Sequence, residues 1–384
     1  MCSNGSRARR SAPTAFSFFH TVFGFPAARW ADRGDRRVIV TLSAVLWGGM
    51  TAMCGFVTSG IQLGLARIGV GIGEATTPVL HSILSDESNR HNRARAMSIL
   101  TMGAPLAALF CYPAIGWIEA NHGWRAAFIA AGVPGLILAA VVWFTFRDRV
   151  REAQRQKAAG RADTPPLGET LRTILTQRTF MLNATGYVIS QVGIMGFTVW
   201  APTYLRRVHE LTAASAGASF GVSTGVLGLA GALIGGIVLE RSARHGDRWK
   251  SLWPAMATAM VAPFILLATF VQSVGITLFA MGAVAFCVAF KFGPVIAIAV
   301  SVVKPRMRAM ASSIQGFAAS ILAIGGGPLL VGTVSDGLAP TMGNDGLRYA
   351  LMLCAAFALV GAMLMAAAST TIERDLALAE ADEA

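Results

Sequence analysis

Apolar residues in this chain come in long blocks separated by short polar loops, and that single pattern excludes most folds. A helix rises ~1.5 Å per residue and closes its own backbone hydrogen bonds, so about 20 apolar residues suffice to cross a ~30 Å hydrocarbon core. The blocks fall at Thr14–Ala31, Val38–Val57, Ile61–Leu84, Met97–Ile118 and Trp124–Phe146, then at Thr179–Leu205, Ala213–Leu239, Leu252–Val271, Gly275–Val303, Ala309–Val334 and Leu347–Ala367. Composition agrees: 54% of residues are hydrophobic and 14% charged, whereas a soluble domain carries about a quarter charged residues. The expected class is an all-α polytopic membrane protein. Arg7, Arg9 and Arg10 before the first block have the outline of a signal peptide, but Pro26, Arg29 and Asp32 do not suit a cleavage site, so Thr14–Ala31 is read as a membrane helix.

The order of the blocks predicts a disordered segment over 1–13, an N-terminal bundle over 14–146, a linker over 147–178, a C-terminal bundle over 179–367 and an acidic tail over 368–384. The linker holds Pro165-Pro166 and a run of arginines, and its end, Leu167–Thr176, reads as a short surface helix. The tail reads as a solvated extension of the last span. Basic residues crowd alternate loops: Arg29, Arg33, Arg36 and Arg37; Arg90, Arg93 and Arg95; the linker; Arg241, Arg244, Arg248 and Lys250; Lys304, Arg306 and Arg308. The opposite loops hold only Arg125, Arg206, Arg207 and Arg348. The positive-inside rule then places the linker and the C-terminus in the cytoplasm, in a multi-pass protein of the inner (plasma) membrane. The net charge of +12 belongs to these loops and does not indicate nucleic acid. Cys54, Cys111, Cys287 and Cys354 lie inside spans, and with Cys2 they show no paired spacing, so they read as reduced, packed thiols.

Eleven spans put the N-terminus outside, against its own three arginines, and the expectation is that one helix is missing before the first block. The halves also repeat a pattern. Asp32-Arg33-Gly34-Asp35-Arg36-Arg37 follows the first block, and Glu240-Arg241 with Arg244 follows the second block after the linker. Parallel repeats of this kind are an established transporter plan.

Within the blocks, charge is rare and therefore informative, since a charged side chain at membrane depth costs at least ~2.5–3.5 kcal/mol. Arg67 and Glu74 stand seven residues apart, close to two helical turns, and share a face. Gly69, Gly71 and Gly73 between them let a neighbouring helix approach. The pair reads either as a proton-binding carboxylate with an arginine modulator, or as a structural ion pair that holds helices together. Lys291, in Ala-Phe-Lys-Phe-Gly-Pro, is either a buried cation for an anionic group, a partner for Glu74, or a snorkelling lysine. Asn183, Tyr187 and Gln191 recur at helical spacing and suit substrate hydrogen bonds or interhelical packing equally. Trp200 reads as an interfacial anchor. Gly325-Gly326-Gly327-Pro328 lacks the Lys-Ser/Thr ending of a phosphate loop. No cofactor, metal or nucleophile–base motif stands out, and the chain is not read as an enzyme.

These residues resemble the major facilitator superfamily. Its loop between helices 2 and 3 reads Gly-x-Leu-Ala-Asp-Arg-x-Gly-Arg-Arg, and Ala28–Arg37 matches in Ala31, Asp32, Arg33, Arg36 and Arg37 while departing at Ala28, Trp30 and Asp35. Its helix 4 pattern, Arg-x-x-x-Gly-x-Gly-x-Ala, is met by Arg67, Gly71, Gly73 and Ala75. More narrowly the chain resembles the spinster-like branch, through Arg67–Pro78, Gly103–Leu106, Trp200–Leu205 and Gly326–Asp336. Against that template the first block is helix 2 and helix 1 is absent. The resemblance implies two pseudo-symmetric bundles, a central cavity lined by helices 1, 4, 7 and 10, and lipid-like or amphipathic substrates. It makes Asp32, Arg33, Arg36, Arg37, Glu240 and Arg241 conformational-switch residues, with Asp32 expected to cap or pair with Arg36 or Arg93.

The function expected is a proton-coupled secondary transporter for an amphipathic or anionic small molecule, lysolipid-like, acting as a monomer in the lipid bilayer. Glu74 and Arg67 would couple the proton; Arg67, Lys291, Asn183, Tyr187 and Gln191 would bind the substrate. Two alternatives stand beside it: a truncated or receptor-like protein that does not transport, and an exporter of hydrophobic compounds or drugs.

Overall fold

The computed structural model describes residues 35–74, 80, 83, 102–146, 167–242, 246–303, 308–343 and 345–381. Two packing units divide the chain: Met1–Leu100 with Ile115–Asp163, and Thr101–Ala114 with Thr164–Ala384. The described regular structure is helical throughout. The first unit contains α1 (Arg36–Met53), α2 (Gly60–Glu74) and, from Ile115 on, α3 (Gly103–Thr145). The second contains the start of α3, then α4 (Leu167–Thr176), α5 (Arg178–Arg207), α6 (Ala213–Ser242), α7 (Asp247–Phe270), α8 (Val274–Ser301), α9 (Arg308–Ala319), α10 (Gly327–Met342), α11 (Asp345–Ala368) and α12 (Ile372–Ala381).

Seven helices among the described residues are long and apolar enough to cross a membrane when α9 and α10 are counted as one. The 43-residue α3 covers most of both expected spans, Met97–Ile118 and Trp124–Phe146, and turns at Gly123, whose φ of 79° and ψ of 168° suit only glycine. α1 carries Arg36 and Arg37 in its 18 residues and α2 is described over 15. The expected span Thr14–Ala31 and the segment 1–13 lie outside the described residues. The count of eleven spans is therefore an expectation and is not established by these helices.

Close backbone approach organises the first unit. A Cβ at Gly48 of α1 would fall 2.8 Å from the Gly132 carbonyl oxygen of α3, and one at Gly73 of α2 would fall 2.6 Å from the Trp47 nitrogen of α1. Gly69 and Gly73, between Arg67 and Glu74, thus do what small residues do in a membrane bundle, with α1 as the partner.

In the second unit, α5 packs on α11, α8 on α6 and α7, and α7 on α11. Its core joins Phe197, Tyr204 and Leu205 of α5 to Ile265 of α7, Met281 of α8 and Leu351 of α11. α9 and α10 are one span interrupted by a π-helical stretch, Ser320–Gly326. Pro328 follows after Gly327, and a proline lacks the N–H and crowds the carbonyl one turn back, which a widened turn relieves. Trp200, expected as an interfacial anchor, donates from Nε1 to the Pro328 carbonyl at 2.9 Å and so joins α5 to α10.

The tail is not a solvated extension of the last span. After a turn at 369–371, α12 packs back onto the bundle, with Ile372 buried beside Ile174 of α4 and Phe180 of α5. Gln177, the N-cap of α5, makes no side-chain cap bond; Asp375 Oδ2 accepts the Thr179 N–H at 3.0 Å instead. Glu373 pairs with Arg248 at 3.4 Å. Cys54, Cys287 and Cys354 are buried free thiols, whereas Cys111 is exposed on α3 and not packed as expected.

Candidate functional site

The sequence-predicted groups divide between the two units, and each unit builds its own polar site inside an apolar bundle. In the first, Gly73 brings α2 against α1, and the carbonyl of Gly73 accepts from Ser43 Oγ at 2.7 Å. One residue on, Glu74 Oε1 accepts from Trp47 Nε1 at 2.8 Å. The carboxylate is thus aimed by an indole of the neighbouring helix, which sequence spacing alone did not reveal. Arg67 is half-buried and close enough for its charge to act on Glu74.

At the end of α1, Asp35 is the N-cap, and its Oδ1 accepts the Arg37 N–H at 2.8 Å. The Arg37 guanidinium donates to the Trp143 carbonyl and lies 4.5 Å from the centre of the Trp143 ring, tying α1 to the end of α3. Arg36 is buried. The expected capping partner Asp32, with Arg33 and Arg93, lies outside the described residues, as do the side chains of Glu240 and Arg241.

In the second unit Lys291 is only 1% exposed, so it does not snorkel to the bundle surface. Its Nζ donates to Ser190 Oγ at 2.9 Å and stands 5.8 Å from the centre of the Tyr187 ring. Ser190 in turn donates to the Tyr187 carbonyl at 2.8 Å, and Gln191 Nε2 lies 3.4 Å from the Tyr187 hydroxyl. Tyr187, Gln191 and Lys291 are therefore brought together. Asn183 sits one turn away and donates to the Val295 carbonyl of α8 at 3.1 Å. Two amide oxygens in this group, Asn183 Oδ1 and Gln191 Oε1, are buried without a hydrogen-bond partner among the described residues.

Ser190 escaped the sequence reading, because a serine in an apolar block gives no signal until the register of α5 against α8 is known. Gln315 also escaped it. This residue of α9 is 3% exposed and neither amide atom has a partner among the described residues. An isolated glutamine in an apolar block was the available signal. Buried polar groups are normally satisfied, so the unpartnered amide oxygens of Asn183 and Gln191 mark places where a polar ligand or water fits.

Comparison with known proteins places this geometry in context. The profile of the Major Facilitator Superfamily matches residues 11–328. An MFS-type efflux pump of Mycolicibacterium smegmatis is 30% identical over 365 residues, covering 94% of this chain and 83% of the pump. Protein spinster homolog 1 of Xenopus tropicalis is 26% identical, over 95% of this chain and 73% of that protein. Among solved structures, a bacterial homolog of the human lysosomal transporter Spinster, inward-facing and unoccupied, superposes with a TM-score of 0.77 at 24% identity, covering 96% of this chain and 90% of that one.

Proposed function

The chain belongs to the major facilitator superfamily, in its spinster-like branch, and from that premise we propose that it is a proton-coupled secondary transporter of an amphipathic or anionic small molecule. It works by alternating access, the two bundles rocking about a midplane site. The observation that carries the reading is Lys291: a cation 1% exposed, held by a hydroxyl and an aromatic face, both of them neutral. A buried charge is stable only when compensated, and neutral partners leave room for the anionic end of a substrate. Tyr187, Gln191 and Asn183 supply hydrogen bonds beside it, and Arg67 supplies a second cation.

Glu74 is the proton-coupling group in this reading and Arg67 its modulator. A substrate anion that engages Arg67 weakens the support this cation gives to the Glu74 carboxylate, which links substrate binding to protonation. The protein sits in the inner membrane with its C-terminus in the cytoplasm and acts as a monomer. Uptake in proteoliposomes, with and without a pH gradient, tests the proposal. Accumulation of lysolipid-like or anionic amphiphiles driven by the gradient supports it. Equal uptake without a gradient, in a preparation shown to be sealed, counts against coupling.

A second reading, export of hydrophobic compounds, is favoured by the similarity to the mycobacterial efflux pump. It predicts that expression raises the tolerance of cells to lipophilic toxins, which the lysolipid reading does not.

A further inference from the structure

At the end of the second unit away from the tail helix, three turns that are distant in sequence meet around a cavity of about 580 Å³. It is lined by Arg207, Val208, His209 and Glu210 after α5, Gln272 and Val274 between α7 and α8, and Met342, Asp345 and Arg348 where α10 passes to α11. This size is ordinary for a small-molecule site, which spans roughly 300–1,000 Å³. None of these residues belongs to the substrate or coupling groups described above. We propose that this cavity binds small anions, sulfate or phosphate in chemistry, and that acid strengthens the binding through His209.

The lining charges set the argument. Arg207 and Arg348 face Glu210 and Asp345, so the fixed charges balance and a neutral histidine adds nothing. Protonated, His209 tips the lining to net positive. The balance is also unevenly placed. The Arg348 side chain is 23% exposed and its Asp345 partner 57% exposed, at 3.5 Å, so the cation lies deeper than the carboxylate. A pair open to solvent on its Asp345 side holds weakly, and an incoming anion competes for the guanidinium. Arg207 is 6.0 Å from the Trp200 ring and has no ion-pair partner among the described residues.

His209 is fixed where it must act. Its ring meets the Tyr204 ring edge-on, with centres 5.5 Å apart, and its Nε2 lies 3.4 Å from Thr277 Oγ1 of α8. Tyr204 is itself held by a bond to the Thr269 carbonyl at 3.1 Å. The groups that face His209 are thus Tyr204 and Arg207 of α5, Glu210 of the turn, Gln272 before α8, Thr277 of α8, and Asp345 and Arg348 of α11. Burial, and after it the positive field of Arg348, hold the imidazole below its usual range of about 6.5, against a bond to the Gln272 backbone. An anion in the cavity reverses part of that penalty, so anion and proton each strengthen the other. Glu210 adds an independent mark: its φ of 57° puts a non-glycine residue in the left-handed region, and such strain concentrates at functional sites.

The test uses the full chain in detergent and sulfate as probe, because sulfate keeps one charge state across the range. Thermal unfolding is followed against sulfate at about pH 5.5 and about pH 7.5. The sign is fixed by the lowered folded-state value: without anion, stability falls as pH drops through about 6.5, because the unfolded chain takes the proton first. Sulfate is expected to offset that loss, with an apparent affinity about tenfold higher at the acid pH. His209→Gln should remove the pH difference and leave weak binding. Arg207→Gln should weaken binding at both pH values, and it serves where Arg348→Gln disturbs packing around Tyr204. Vesicles of phosphatidylglycerol that compete with sulfate, where phosphatidylcholine vesicles do not, identify a lipid headgroup; no competition identifies a soluble anion. Equal sulfate stabilisation at both pH values in the wild type, or an unchanged pH difference in His209→Gln, overturns the proposal.

Discussion

Glu74 is the group proposed to carry the proton, and its place in the first unit is fixed by the neighbouring helix. The Trp47 N–H at 2.8 Å fixes which oxygen faces α1, and hydrogen bonds to a charged group are worth about 1.5–3 kcal/mol. Glu74→Gln should therefore abolish gradient-driven accumulation in proteoliposomes while leaving exchange. Trp47→Phe should keep accumulation and move its pH midpoint. Full accumulation in Glu74→Gln would make the carboxylate structural and the ion-pair account the better one. The cations lead to a different expectation. Arg67→Ala and Lys291→Gln should each weaken anionic substrates more than neutral analogues, by about tenfold for one lost charge-assisted bond. Equal losses for both substrate types in a competition assay would remove these residues from headgroup recognition.

Elements are positioned here by contacts that cross long stretches of chain. α5 starts without a local cap and takes one from Asp375, 196 residues away. A carboxylate at a helix start satisfies an orphan N–H and complements the helix dipole. Asp375→Ala should thus cost about 1 kcal/mol of stability. Glu373→Ala, which removes an exposed pair with Arg248, should cost less than about 1 kcal/mol. Thermal unfolding of the two variants in one detergent checks the order, and equal shifts would deny Asp375 its capping role. In the first unit, Gly73→Val places a side chain where the Trp47 backbone stands. It should separate α1 from α2 and lower the yield of folded protein, whereas Gly49→Ala, whose added Cβ meets nothing within 4 Å among the described residues, should be tolerated.

For the whole molecule, the distribution of basic loops sets the expected topology. A fluorescent protein fused after Ala384 should fold and fluoresce, and a periplasmic reporter enzyme at the same place should be inactive. The opposite pair of results would invert the assignment and place the His209 cavity on the cytoplasmic side. The proposed alternating access is checked by cysteine labelling in each bundle, where a shift in accessibility on adding substrate is expected and an unchanged pattern counts against it.

Span positions were legible in the sequence because bilayer thickness imposes a length on every apolar block. α6 and α11 begin within about two residues of the expected starts, and α4 matches its expected range. Charge rarity singled out Glu74, Arg67 and Lys291 for the same reason: a buried charge must be explained. What spacing could not supply was the partner. Trp47 beside Glu74, Ser190 beside Lys291, Asp375 on α5 and the three turns around His209 all depend on how one helix is rotated and shifted against another. That register comes from close packing at a few glycines and from the sum of many small contacts, none of which leaves a periodic mark in a single chain. Sequence by itself determined the class, the positions of most of the described helices and which charged side chains needed explaining; tertiary packing decided which polar atoms meet.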